Sequence, residues 1–111
     1  MATLSTSLTN TAISISPLET TDVALTVMLF CNLNPRDLAD PSAGIQYLDI
    51  FVVPSGGTPT SINKIGNQIP VEASDTFVFS TERIVLSQGD RIFASTTNSG
   101  QVSATVSYVK I

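Results

Sequence analysis

Apolar and polar residues alternate with a period of two along most of this chain. No window holds the three-to-four-residue spacing of an amphipathic helix. Short runs rich in Val, Ile, Thr, Ser and Phe are separated by Gly, Pro, Asn and Asp, the pattern of an all-β sandwich. It predicts strands over residues 4–15, 23–33, 45–53, 75–80, 84–86, 91–97 and 102–111, with short irregular strands over 60–71. The expected fold is one antiparallel β-sandwich, jelly-roll or immunoglobulin-like, of seven or eight strands. Residues 1–111 make one domain, with 1–16 as its first strand or an N-terminal arm, closed by Pro17 because proline cannot donate to a ladder.

Strict alternation assigns the faces. In 23–33, Val23, Leu25, Val27, Leu29 and Cys31 share one side, and Ala24, Thr26, Met28 and Phe30 the other. In 45–53, Leu48, Ile50 and Val52 oppose Tyr47, Asp49, Phe51 and Val53, and in the last strand Val102, Ala104, Val106 and Tyr108 share a face. The second face of the two central strands is unusually apolar for one open to water. Met28, Phe30, Tyr47 and Phe51 are therefore candidate subunit-interface residues; alternatively they lie beneath the long loop or the N-terminal segment.

That loop, residues 34–44, exceeds the usual hairpin length and offers Leu38 as a fifth candidate interface residue. Ser87-Gln88-Gly89-Asp90 reads as a tight turn in which Gly89 takes the positive φ.

Charge changes the picture by being scarce. Only 13% of residues are charged, about half the common ~25%, and Ser, Thr, Asn and Gln fill the surface instead. Such faces suit a protein partly covered by neighbours. The net charge is −4 and the basic residues are scattered, so neither a phosphate-tracking patch nor a basic membrane-binding face is expected. No apolar run reaches membrane-spanning length, and the opening residues lack a signal-peptide pattern. A lone Cys31 inside an apolar run reads as a small buried hydrophobe, and one cysteine excludes an intrachain disulfide, in keeping with a reducing cytoplasm.

The absence of histidine removes Ser-His-Asp and Cys-His nucleophilic sites and every His-ligated metal site. Carboxylate chemistry is the enzyme route left open, yet Asp37, Asp40, Asp49, Glu72, Asp75, Glu82 and Asp90 are dispersed. Asp37 and Asp40 form turns beside Pro41 more readily than they form a calcium site. The expectation is a non-enzyme without cofactor or metal.

Four segments carry a resemblance: Phe51-Val52-Val53-Pro54-Ser55-Gly56-Gly57, Asn67-Gln68-Ile69-Pro70-Val71, residues 84–95 with their Gly89-Asp90 turn, and the closing strand from Val102. Together with Phe30-Cys31-Asn32 they resemble the small virion proteins of tailed bacteriophages over residues 20–111. The resemblance implies a structural subunit of the particle, assembled in the host cytoplasm and residing in the virion. The leading role it implies is a capsid decoration or cement protein that binds the major capsid protein as a trimer or other small homo-oligomer. A neck, tail or fibre component is the alternative. A carbohydrate- or receptor-binding module stacking sugars on Tyr47, Phe51 or Tyr108 is a third reading. The 34–44 loop departs from the family pattern, and no catalytic residue carries over.

Overall fold

The computed structural model describes residues 2–16, 22–40, 42–79 and 84–110; Pro17, Pro41, Glu82, Arg83 and the expected strand ends at 80 and 111 lie outside them. Among the described residues there are nine strands: β1 (Ala2–Ser7), β2 (Ile13–Ser14), β3 (Val23–Asn32), β4 (Gln46–Val53), β5 (Lys64–Val71), β6 (Thr76–Phe79), β7 (Ile84–Leu86), β8 (Arg91–Ser95) and β9 (Val102–Lys110). A 3-10 turn at Ser61–Asn63 leads into β5, which has the expected irregularity, two register shifts against β4, but is one eight-residue strand rather than several short ones.

All pairings are antiparallel. One sheet runs β1-β9-β3-β6 with β7 also on β3, and the other runs β2-β8-β4-β5. β6 pairs with Met28–Cys31 and β7 with Val23–Leu25, so the two are successive halves of one edge. Counted as one strand, they turn the sheet orders into 1-8-3-6 and 2-7-4-5. That is the connectivity of two Greek keys rolled together, a jelly roll. The N-terminal segment is no free arm: β1 joins one sheet, β2 the other, and Leu8 and Ile15 are wholly buried between them.

The core is built from alternate positions, as the period of two requires. β4 sends in Leu48 and Ile50, β8 sends Ile92 and Ala94, and β9 sends Val102, Ala104 and Val106. Phe77 of β6 packs against Phe30 with ring centroids 6.3 Å apart. Each fully buried aliphatic or aromatic side chain stabilises the fold by roughly 1.5–3 kcal/mol relative to exposure.

Strict alternation fails in β3. Leu25 sits opposite Tyr108, but Val27, not Thr26, sits opposite Ser107, so Thr26 is an extra residue in the ladder. Such a bulge inverts the facing of everything beyond it. The Thr26 hydroxyl holds it by donating to the Ser107 carbonyl at 3.2 Å. Val23 and Leu25 point inward before the bulge; Met28, Phe30 and Asn32 do so after it. Val27, Leu29 and Cys31 are turned to the outer face, where each is only partly buried. Cys31 is thus not a core residue, and Met28 and Phe30 are not surface residues.

Two buried amides fasten the strand ends, and Asn32 also ties one sheet to the other. Asn32 donates from Nδ2 to the Gly44 and Val71 carbonyls, both at 2.8 Å, and its Oδ1 accepts from the Asn34 amide at 3.0 Å. One side chain at the end of β3 therefore holds the end of β5 and both ends of the 34–44 loop. Gln46 is its counterpart across the sandwich, accepting from the Thr96 hydroxyl at 3.1 Å and the Asn98 amide at 2.9 Å. Buried polar groups of this kind are tolerated because they are paired.

Gly89 adopts φ +90 as expected, and the Asp90 carboxylate accepts from the Ser87 and Ser55 amides, docking this turn on the 54–57 turn. A Cβ on Gly89 would lie 2.3 Å from Ser55 Oγ and 2.9 Å from Ser55 Cβ. Gly89→Ala is expected to cost at least about 2 kcal/mol in thermal or denaturant unfolding, from left-handed backbone plus the clash. Gly100→Ala, at φ +79 with nothing within 4 Å of the added carbon, should lose only the backbone share, about 1–2 kcal/mol.

Candidate docking surface

The bulge decides what the outer face of the β1-β9-β3-β6/β7 sheet carries. Cross-strand partners share a face, so the register can be read row by row. One row is Ser7, Ser103, Cys31 and Thr76; the next is Ser5, Thr105, Leu29 and Val78. Thr3, Ser107 and Val27 follow, and Val109, Ala24 and Val85 form the last. The β1–β9 half is a hydroxyl ladder, with Ser5 Oγ 3.2 Å from Thr105 Oγ1. The β3–β6/β7 half is apolar apart from Thr76; Val78 and Val85 on its edge and Val109 at the end of β9 are 51%, 60% and 41% exposed. No position in these rows is charged.

The five candidate interface residues are not brought together. Met28 and Phe30 are buried core residues, turned inward by the bulge, and drop out of any surface. Phe51 does lie on an outer face, that of the second sheet, but is only 8% exposed. It sits opposite Phe93, and Lys64 Nζ lies 5.6 Å from its ring centroid. The same ammonium stands 3.6 Å from Asp49 and 2.9 Å from Asn67 Oδ1. Tyr47 and Leu38 are exposed at separate places, Tyr47 on β4 opposite Pro70 and Leu38 on the loop. Sequence reasoning missed Val78, Val85 and Val109. Their alternation with inward Phe77, Phe79 and Tyr108 was the available signal, and it becomes a patch only when the bulge adds Val27 and Leu29 beside them.

No known family, curated protein or solved structure matches this chain. Asp37 accepts from the Ala39 amide at 2.9 Å, and Asp40 from the Ser42 amide and hydroxyl at 3.2 and 2.7 Å. Both carboxylates are occupied in shaping their own loop. A depression of about 170 Å³ beside that loop is lined by Arg36, Asp37, Leu38, Glu72 and Ala73. A second, of about 280 Å³, lies between the 54–57 and 87–90 turns, next to Arg91 and Phe93. Both fall below the ~300 Å³ at which small-molecule sites usually begin. The uncharged rows of the outer sheet face can instead bury themselves against another surface.

Proposed function

We propose that this chain is a non-catalytic structural subunit of a bacteriophage virion, foremost a capsid decoration or cement protein bound to the major capsid protein. The observation that carries the reading is the outer sheet face: three half-exposed valines, Leu29 and Val27 beside them, and no charge in its rows among the described residues. A face of this composition gains by losing water, at roughly 25 cal/mol per Å² before the costs of association. The jelly-roll order supports the reading as analogy, since viral capsid domains use it, though lectins and cupins do as well. A neck, tail or fibre position would use the same face. The sugar-stacking reading loses ground: Phe51 is covered by Lys64, Tyr108 packs against the core, and of that trio Tyr47 is the exposed ring.

Electron microscopy of the assembled particle tests the proposal. Density for the chain over the capsid lattice is the expected result; density confined to neck or tail transfers the role there, and absence from the particle ends it. Val78→Lys and Val85→Lys each place an ammonium in the uncharged face. Each should lower occupancy of purified particles at least tenfold, about 1.4 kcal/mol, while leaving the melting curve unchanged.

A further inference from the structure

The two sheets have four edges. β2 is two residues long, and on the β6/β7 edge the described strands are Thr76–Phe79 and Ile84–Leu86. β5 carries Pro70, a positive φ at Gln68 and two register shifts against β4. These are the devices by which proteins prevent unwanted strand pairing. β1 has none of them. Its register with β9 is unbroken from Ala2 to Ser7, it contains no proline and no charge, and β9 is its one paired neighbour among the described residues.

The ladder also shows which backbone groups remain open. The Leu8 amide donates to the Val102 carbonyl directly opposite, marking that pair as hydrogen-bonded. Alternation along an antiparallel ladder then turns Thr6 and Leu4 toward β9 and leaves the N–H and C=O of Thr3, Ser5 and Ser7 facing the open edge. All three residues are exposed.

We propose that this edge pairs with β1 of a second copy of the chain, antiparallel, about a two-fold axis through Ser5. The sequence is self-complementary in that register. Ser5 meets the partner's Ser5 and Thr3 meets the partner's Ser7, so every open position enters a pair that exchanges two hydrogen bonds. Shifting the partner by two residues in either direction leaves an open position unmatched. Across the dyad, Thr3–Ser7 and Ser5–Ser5 become hydroxyl pairs on the outer face, and Leu4, 36% exposed in the monomer, packs beside the partner's Thr6. No charge on either strand opposes the approach. The result is one continuous sheet across two subunits, an isologous interface that closes on itself. It stands independently of the virion reading, because it is formed by the free protein.

Sedimentation equilibrium from micromolar to several hundred micromolar protein tests it. The expected mass rises with concentration toward twice the 11.7 kDa chain. The amides of Thr3, Ser5 and Ser7 should gain hydrogen-exchange protection over the same range. Ser5→Pro removes an N–H that faces only the open edge, and Ser5→Lys sets two ammonium groups opposite each other at the dyad. Each should weaken the dimer roughly 10- to 100-fold. Ser5→Lys, at an exposed outer-face position, should melt like the parent and carries the test if the proline variant folds poorly. Val78→Lys, on the far side of the sheet, should leave the dimer intact. A parent that stays monomeric throughout overturns the proposal. So does a dimer that survives both Ser5 variants, or one that Val78→Lys dissociates.

Discussion

Phe30→Ala is expected to lower the unfolding free energy by about 3–5 kcal/mol, the usual cost of emptying an aromatic site in a packed core. Phe30 is fully buried between the sheets and in ring contact with Phe77. For a domain holding about 5–15 kcal/mol in total, that is a large share. Leu29→Ala, one residue away, should cost much less, about 1 kcal/mol, because Leu29 lies half-buried on the outer face. Urea unfolding of the two variants beside the parent measures both. The comparison is a direct test of the bulge at Thr26. If β3 alternated without interruption, Leu29 would be the inward residue and the two costs would exchange places.

Asn32→Ala is the second large effect, expected to cost about 3 kcal/mol. The substitution strands the Val71 carbonyl, which takes a buried hydrogen bond from Asn32, and frees the Asn34 amide. The Gly44 carbonyl keeps Asn34 Nδ2 at 2.9 Å, which limits the loss there. At the entropy of unfolding typical of a domain this size, the melting temperature should fall by about 10–15 °C. Asn34→Ala, removing the more exposed of the two amides, should stay below about 1 kcal/mol. Asn32→Asp separates hydrogen bonding from volume. It keeps the shape but aims carboxylate oxygen at two carbonyl oxygens, so its charged form is disfavoured and its folded pKa is raised. The deficit against the parent should therefore be small below about pH 4, and grow as pH rises through the raised value. A deficit independent of pH would mean that the loop had moved away from residue 32.

These two variants sit where sequence reading and structure part. The alternation of β4 and β9 was legible because nothing interrupts the inward series Leu48, Ile50, Val52 and Val102, Ala104, Val106. β3 was legible as a strand, but its facing was not. Threonine is an ordinary strand residue, and nothing in Leu25-Thr26-Val27 marks one position as supernumerary. The insertion is defined by the partner strand, where Tyr108 and Ser107 are adjacent while Leu25 and Val27 are not. From that one residue follow the burial of Met28 and Phe30, the outward turn of Leu29 and Cys31, and hence the docking face itself. Asn32 was hidden for a related reason. A strand-end asparagine looks like a turn residue until Gly44 and Val71, remote in sequence, supply the carbonyls it binds.

By itself the sequence determined the class of fold, most strand positions, the tight turn at Gly89, and the poverty of charge that bounds the function. Those properties are local: they depend on period, on turn chemistry and on residue type. Only the tertiary structure decided that the sandwich is a jelly roll, which side of β3 faces the core, and which of four edges stays open. Those depend on how strands far apart in the chain are paired, and a shift of one residue in that pairing exchanges inside for outside.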